Sequence, residues 1–289
     1  ITSSGNPGGA WSSNNGFVTI DAGTGVATGE ANGSSTITYT VSASPCTDAT
    51  ATIVLTVSNN YVTTGNNSNW SNTACWGGGV VPASSGDVII SHDITVDAST
   101  NSLGTVTLDP SKTLTVATGQ TILVSGASDI NGTLSIEGTG TFDANGNFDA
   151  TSGTIDFTGA GTLKIGATVS STTTSLGTLD AAAGTVWYDG GPLTIVTDDY
   201  YSLRISQPNT KTAAGTININ GDLTLNSGAT YSIGATTTTV TGTSVIEGTL
   251  ELSTGIFDAD GTYDATGGNT TFTDAGTLKL GSTVTDIGT

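Results

Sequence analysis

The 289-residue chain is poor in the residue types on which most catalytic and charged-ligand sites depend. It has no methionine, two cysteines, five basic residues, one histidine (His92) and one arginine (Arg204). A nucleic-acid surface needs a basic stripe, and a net charge of −19 disfavours nucleic acid, anionic lipid and polyanionic sugars alike. No apolar run approaches the roughly 18 residues of a membrane span. We therefore predict no nucleic-acid partner and no membrane insertion.

Signals for helices and for export are also scarce. Glycine occupies 41 positions and, with threonine, interrupts every stretch that would otherwise space apolar residues helically. This much glycine without a Gly-X-Y period excludes collagen, and regular Val, Ile and Leu pairs argue against disorder. The chain is predicted to be all-β. The absence of a basic and then apolar start predicts a mature or excised part of a longer protein.

What the chain does have is an internal copy. Residues 130–166 read INGTLSIEGTGTFDANGNFDATSGTIDFTGAGTLKIG, and residues 246–281 read IEGTLELSTGIFDADGTYDATGGNTTFTDAGTLKLG. Gly132 matches Gly248 at an offset of 116, and Phe142 matches Phe257 at an offset of 115. Long copies of this kind are typical of chains that stack like units.

Apolar residues recur in pairs of the form apolar-x-apolar, which places both side chains on one face of a very short strand. Several pairs begin eight residues apart, and Gly-Thr before many of them permits a tight corner. We predict a right-handed parallel β-solenoid (β-helix) over residues 87–289, with roughly 20 residues per coil; a row of antiparallel sandwiches is the rival. The pairs are Ile94/Val96, Val106/Leu108, Leu114/Val116, Ile122/Val124, Leu134/Ile136, Ile155/Phe157, Leu163/Ile165, Ile217/Ile219, Leu223/Leu225, Leu250/Leu252 and Leu278/Leu280.

Residues 1–58 alternate with period two between Gly- and Asn-bearing turns, which predicts a small sandwich of short strands. The stretch WSSNNGFVTIDAGTGVATGEANGSSTITYTV resembles the bacterial Ig-like repeat family, through Trp11, through residues 25–29 and through residues 37–39. The resemblance implies an Ig-like β-sandwich that lacks its usual first strand. A fragment, or subunits that complete one another, would both fit that gap.

Residues 59–86 form a Trp- and Gly-rich joint. We interpret Trp70 and Trp76 as cap aromatics that close the open end of the stack, since an exposed terminal rung invites edge pairing; a carbohydrate-stacking platform is the alternative. Two alternatives also remain for the cysteines. A Cys46–Cys75 disulfide would indicate an oxidising, extracellular setting, and two separate thiols would not.

Between the copies, GTVWYDGG is followed by Tyr-x-x-Leu-x-Ile at 200–205 and by Gly-Asp-Leu-Thr at 221–224. These elements resemble the long repetitive surface proteins of Bacteroidota, which are exported by the type IX route and include gliding-motility adhesins. The resemblance implies a β-solenoid stalk on the cell surface, whose function lies in its length and surface. Partners would be like subunits, adjoining repeats or surface glycans.

Three site hypotheses compete with that role. Asp143, Asn145, Asn147 and Asp149 place oxygen ligands at alternate positions, as Ca²⁺ accepts, but such residues are also ordinary turn formers, so we predict no cofactor and keep Ca²⁺ as the alternative. The second copy matches them with Asp258, Asp260, Thr262 and Asp264.

A polysaccharide-cleaving site would gather carboxylates with Arg, Lys or His. His92 and Arg204 lie far apart in sequence, with only Asp198 and Asp199 near the arginine. Thr172–Thr174 and Thr236–Thr239 suggest an ice-binding array, yet threonine is also a common strand former. The interpretation is therefore a non-enzymatic, extracellular structural or adhesive stalk segment, with filament formation left open. Polysaccharide-binding or -cleaving and ice-binding β-helices are the alternatives.

Overall fold

The computed structural model describes residues 8–30, 33–57, 60–66, 68–166 and 176–288. The chain divides into two compact units, Ile1–Asn60 and Tyr61–Thr289. The predicted boundary lies after residue 58, with a separate joint over 59–86. Residues 61–86 belong to the second unit, where Ser68 and Asn69 pair with Ile94 and Thr95 of the first coil.

The first unit consists of antiparallel strands. They are β1 (Ala10–Ser13), β2 (Val18–Ile20), β3 (Ala27–Gly29), β4 (Gly33–Val41) and β5 (Ala49–Val57). β1, β4 and β5 form one sheet, and β2 pairs with β3. β4 and β5 are nine residues long, so the predicted strands are found but not all of them are short. Trp11 packs on Tyr39 with ring centroids 4.6 Å apart, and Val18 and Ile37 are buried.

The second unit is built almost entirely of strands two to five residues long. One 3₁₀ turn, Thr73–Cys75, is capped by Asn72, whose Oδ1 accepts from the Ala74 N–H at 3.1 Å. The strands are β6 (Asn60–Val62), β7 (Ser68–Asn69), β8 (Asp87–Ile90), β9 (Ile94–Val96), β10 (Ser102–Leu103), β11 (Val106–Leu108), β12 (Thr113–Val116), β13 (Thr121–Val124), β14 (Ser128–Ile130), β15 (Thr133–Glu137), β16 (Thr141–Ala144), β17 (Phe148–Asp149), β18 (Thr154–Thr158), β19 (Thr162–Ile165), β20 (Thr178–Leu179), β21 (Thr185–Tyr188), β22 (Leu193–Ile195), β23 (Asp199–Tyr200), β24 (Ser202–Ile205), β25 (Asn209–Ala213), β26 (Ile217–Ile219), β27 (Leu223–Leu225), β28 (Ala229–Ser232), β29 (Thr237–Val240), β30 (Ser244–Ile246), β31 (Thr249–Leu252), β32 (Ile256–Ala259), β33 (Tyr263–Asp264), β34 (Asn269–Phe272), β35 (Thr277–Leu280) and β36 (Val284–Asp286).

These strands stack in parallel into five sheets. Sheet A has the order β17-β14-β11-β8-β6, sheet B β20-β18-β15-β12-β9-β7, sheet D β22-β25-β28-β31-β34 and sheet E β23-β26-β29-β32-β35. The ten-stranded sheet C, β10-β13-β16-β19-β21-β24-β27-β30-β33-β36, runs through the whole unit. The chain therefore visits A, B and C in turn, and later D, E and C. The predicted parallel β-solenoid is confirmed, and the rival row of antiparallel sandwiches is wrong for this unit.

The aliphatic pairs form the interior of the coils. Val106, Leu114 and Ile122 point inward from sheets A, B and C, so the eight-residue spacing is the step from one face to the next. Leu114 pairs with Leu134, and Leu134 pairs with Ile155, which confirms the predicted coil length of roughly 20 residues. Full burial of each such side chain contributes about 1.5–3 kcal/mol.

The last aliphatic pair departs from this pattern. Leu280 lies directly above Ala259 in register, so its side chain points inward, yet it is 39% exposed. Phe272 lies above Leu252 in register, so it also points inward, and it is 52% exposed. Both residues belong to the last described coil, whose upper side no further rung covers.

The internal copy is not in phase with the coils. β15, β16 and β17 of the first copy lie in sheets B, C and A, whereas their counterparts β31, β32 and β33 lie in sheets D, E and C. The Phe142–Phe148 pair and its counterpart Phe257–Tyr263 have the same geometry, with centroids 6.0 Å apart and planes at 71°. The offset between the copies is not a whole number of coils, so each repeated strand lies one position earlier in its coil.

Stacked glycines let the corners of successive coils touch. The Gly126 N–H donates to the Gly104 carbonyl oxygen at 2.7 Å. A Cβ on Gly146 would lie 2.0 Å from the Gly126 carbonyl oxygen, and a Cβ on Gly261 would lie 1.9 Å from that of Gly242. At these corners, only glycine fits without displacing the backbone of the coil below.

Replacing a stacked glycine should therefore be costly. We expect Gly146→Ala to lower the free energy of unfolding by about 2–3 kcal/mol, the upper range for overpacking, measured by urea denaturation. Gly191→Ala is the matched control, because a Cβ there meets nothing within 4 Å. Equal stability of the two variants would contradict the corner stacking.

Candidate functional site

The most varied chemistry on the outer surface of the solenoid lies on sheet C, where the first copy passes into the stretch between the copies. Asp143, Lys164, Trp187 and Arg204 occupy one position on successive strands β16, β19, β21 and β24, in register. Strand alternation turns these side chains outward while their neighbours fill the interior. Residues far apart in sequence thus form one row across four rungs.

Lys164 joins two carboxylates of neighbouring coils. Its Nζ lies 2.8 Å from Asp143 Oδ2 and 2.8 Å from Asp189 Oδ2. Burial alone lowers the pKa of Lys164, but the hydrogen bonds and negative charges of Asp143 and Asp189 outweigh it and raise the pKa. Asp189 Oδ1, in contrast, is buried with no hydrogen-bond partner within the described ranges.

Trp187 is enclosed by cations on the rungs below and above. Lys164 Nζ lies 4.9 Å and Arg204 Cζ 4.1 Å from its ring centroid, both within cation–π range. The indole N–H donates to Ser206 Oγ at 2.7 Å, and Arg204 Nε donates to Asn226 Oδ1 at 2.9 Å. The guanidinium plane is therefore held in a fixed position on the surface.

Two depressions join beside this row. One, of about 390 Å³, is lined by small residues and by Tyr201, which is 41% exposed. The other, of about 300 Å³, is lined by Trp187, Arg204 and Asp222 among others. Both include Thr185 and Ser202, so they form one groove across β21 and β24. We call it the sheet C groove. Its lining residues are Gly159, Ala160, Thr162, Ala182, Ala183, Gly184, Thr185, Trp187, Tyr201, Ser202, Leu203, Arg204, Asp222 and Thr224.

Polar groups also enter the interior of these irregular coils. Lys211 is fully buried, and its Nζ donates to the Gln207 carbonyl oxygen at 2.8 Å; burial lowers the pKa of this lysine, and the charge of Asp189 opposes that effect. Gln207 has a left-handed φ of 64°, so this bond stabilises a backbone conformation that costs energy outside glycine. Tyr188 and Tyr200 are buried with hydroxyl oxygens 3.2 Å apart, and burial raises the pKa of Tyr188 to about 12.

The residues chosen from sequence lie elsewhere. Trp70 and Trp76 are buried beneath the first coil, with centroids 4.7 Å apart and the Trp76 indole N–H donating to the Trp70 carbonyl oxygen at 2.9 Å. Neither ring offers a free face for sugar stacking, and the cap remains their interpretation. Cys46 is an exposed free thiol, and Cys75 a buried one that donates to the Asn69 and Asn72 carbonyl oxygens. Cys46 belongs to the first unit and Cys75 to the second, and a disulfide between them stays a prediction.

Several carboxylates of the acidic turns have protein groups as partners. Asp143 accepts from Lys164 and from Asn145 Nδ2, and Asp149 accepts from Thr151. Asp258 accepts from Lys279 at 2.8 Å. Asn147 lies in the corner that follows β16, and Asp260 lies in the corner that follows β32. No group of three or more His, Cys, Asp or Glu side chains that could hold a metal occurs among the residues described.

The residues that a polysaccharide-cleaving site would use lie apart from one another in the structure. His92 Nδ1 lies 2.8 Å from the Thr63 carbonyl oxygen in the first coil, far along the stack from Arg204. Asp198 accepts from the backbone N–H groups of Leu176 and Asp199, and burial raises the pKa of this carboxyl.

Threonine rows form where threonines lie in register on successive coils, and not where threonines are consecutive in the sequence. Thr238 points inward and lies 2.7 Å from the Tyr231 hydroxyl, so Thr236–Thr239 does not form a flat array; Thr172–Thr174 lie outside the described residues. Outward rows do occur on sheets B and C, at Thr113, Thr133, Thr154 and Thr178, and at Thr121, Thr141, Thr162 and Thr185.

Sequence reasoning missed the row on sheet C, although a signal for it existed. Lys164 follows Asp143 by one coil length, and Lys279 follows Asp258 by the same interval. Opposite charges spaced by one coil predict contact between rungs. The enclosure of Trp187 carried no such signal, because the coils around it advance unevenly. The step from Thr162 to its partner Thr185 is longer than the step from Thr185 to its partner Ser202.

No protein-family model, no curated protein and no solved structure matches this chain. Across the described ranges, none of the helical structure has the length and apolar character that a membrane crossing requires.

The Lys164 bridge should contribute more to stability than its copy. Lys164→Ala leaves Asp143 and Asp189 facing each other with side chains only 15% and 13% exposed. We expect the free energy of unfolding to fall by about 2 kcal/mol, a value between those typical of exposed and of buried ion pairs. Because the folded pKa of Lys164 is raised above 10.5, this contribution is complete below that pH and is lost as the pH rises through the folded value.

Lys279→Ala is the matched control, since Lys279 occupies the same place in the second copy but is 56% exposed with one partner. Its urea denaturation midpoint should not move measurably. Equal destabilisation by both variants, or a Lys164→Ala deficit that persists undiminished at high pH, would contradict the bridge.

Proposed function

We propose that this chain is a segment of a non-enzymatic, extracellular stalk of a large repetitive bacterial surface protein. The supporting observation is sheet C, whose ten parallel strands continue through both sequence copies and the irregular coils between them. A continuous ladder over a continuous aliphatic interior resists bending at every rung, because each coil is bonded to both neighbours. Fixed length along an axis is the property that a stalk requires.

The surface of the stalk supports a passive role rather than a reaction. In the acidic turns, Asp143, Asp149 and Asp258 are bonded to lysine, asparagine or threonine, and the single histidine is bonded to a backbone carbonyl. A hydrolytic site would need carboxylates positioned around a cleft with shifted proton affinities. Adhesion through a surface, or connection of other modules, fits these groups better.

Like subunits or adjoining repeats of the same protein are the partners that a stalk of this kind implies. A parallel solenoid grows by adding one strand to each sheet, as the stacked coils of this unit do. We propose that segments of this kind join into longer stalks or filaments.

The first unit and the origin of the chain complete the proposal. Trp11, Tyr39 and Gly25 carried the Ig-like resemblance, and they lie together: a Cβ on Gly25 would lie 2.7 Å from Trp11 Nε1. This packing supports a bacterial Ig-like module. The cell-surface location, type IX export and Bacteroidota origin rest on the sequence resemblance.

A stalk must keep a fixed distance along its axis, which electron–electron double resonance can measure. Leu123 and Val245 lie in one outward row on sheet C, on its second and eighth strands. Spin labels at Leu123→Cys and Val245→Cys, with Cys46 and Cys75 replaced by Ser, should give one narrow distance of about 29 Å, which is six rungs at the spacing of parallel strands.

The same labelled protein in urea is the control and should give a broad distribution. A broad or two-peaked distribution in native buffer would show that the halves move independently, and would overturn the stalk.

A further inference from the structure

The sheet C groove lies where the solenoid stops repeating itself. Neither sequence copy includes residues 182–224, and the groove is lined mainly from this stretch. A stalk needs only uniform coils, so a stretch that collects the single arginine, an enclosed tryptophan and an exposed tyrosine calls for another explanation. The same coils would otherwise have been built from Thr, Ser and Gly like the rest.

The walls of the groove are held by hydrogen bonds. Asn220 Nδ2 donates to the Ala181 carbonyl oxygen at 3.1 Å, and the Gly221 N–H donates to the Tyr201 carbonyl oxygen at 2.6 Å. A Cβ on Gly221 would lie 3.3 Å from a Tyr201 ring carbon. Glycine therefore lets the tyrosine ring lie close to the wall while its outer side stays in solvent.

Arg204 is presented to the groove in a fixed position. Its guanidinium rests on Trp187 at 4.1 Å, and its Nε is occupied by Asn226. The terminal Nη groups donate no hydrogen bond within the part of the chain that the structure describes. A guanidinium whose orientation is already fixed loses little conformational entropy when it binds a ligand oxygen.

The other lining groups can both donate and accept. Thr185 and Ser202 contribute hydroxyls between Tyr201 and Arg204. Asp222 accepts the Thr243 N–H through Oδ1 at 2.7 Å, which leaves Oδ2 for a donor. A ligand that fits must combine an apolar face for the tyrosine with hydroxyls that donate and accept. Sugars have this combination.

We propose that the sheet C groove binds a neutral oligosaccharide, with one sugar ring on Tyr201 and its hydroxyls hydrogen-bonded to Arg204, Asp222 and Ser202. A polyanionic glycan is disfavoured, because the chain carries a net charge of −19 and Asp222 lies in the wall. Trp187 positions Arg204 and makes no sugar contact, since cations cover both sides of its ring. This binding adds to the stalk and does not depend on it.

Isothermal titration of the full chain tests the site with maltohexaose, cellohexaose, xylohexaose and mannohexaose, and with hexagalacturonate as the charged counterpart. At least one neutral hexasaccharide should bind. Tyr201→Ala and Arg204→Gln should each weaken that binding at least tenfold, whereas Tyr201→Phe should weaken it less than threefold because the ring is kept. Thermal denaturation verifies that each variant is folded.

Phe272→Ala is the matched control, as it removes another exposed aromatic, on β34, and should leave binding unchanged. The proposal is overturned if no neutral hexasaccharide binds, if hexagalacturonate alone binds, or if binding survives both Tyr201→Ala and Arg204→Gln. Each of these results leaves the fixed axial distance of the stalk untouched, so the two proposals fail separately.

Discussion

In-register stacking is the constraint on which the rest of this structure depends. Each strand of the solenoid is two to five residues long and can bury little by itself. Leu114 becomes part of a core only because Ile94 lies below it and Leu134 above it. Once register is set for one face, the alternation of the strand assigns every other side chain to the interior or to the surface. A slip of one residue would expose the whole interior row.

The same constraint creates the surface features. Because neighbouring coils align residue by residue, side chains one coil apart in sequence come within bonding distance, as Asp143 and Lys164 do at 2.8 Å. The two sequence copies reproduce this pair, yet they place it on different sheets, since their offset is not a whole number of coils. A longer array with this offset would present each copied pair in a new direction. Repetition in sequence therefore does not mean repetition along one face.

Much of the second unit was predictable because its inward-facing residues occur in apolar-x-apolar pairs. Val106/Leu108 and Leu114/Val116 alternate with period two and follow each other at the step between faces, so coil length and inward residues followed from sequence. The irregular coils were less predictable. β25 has no aliphatic pair, and its inward residues are Lys211 and Ala213. Nothing local indicates that a lysine faces inward, because its burial depends on the distant Gln207 carbonyl.

The contacts of the candidate site, like the irregular coils, were hard to predict from sequence. In the sequence, Arg204 stands out as the single arginine, and Asp198 and Asp199 are the charged residues nearest to it. Its true neighbours, Trp187 and Asn226, lie one coil below and one coil above. Contacts along the axis depend on the exact length of each intervening coil, and the coil before Trp187 is longer than the coil after it. Sequence alone does not fix that variation.

One continuous interior joins both halves of the solenoid through these irregular coils. In a stack held by nearest-neighbour contacts, the ends open most easily and the centre last. Native-state hydrogen exchange, read by mass spectrometry across sheet C, measures this directly. Amides of β19, β21 and β24 should exchange most slowly, with protection falling toward β10 and β36. Faster exchange at β21 than on both flanks would show two separate stacks with no common interior.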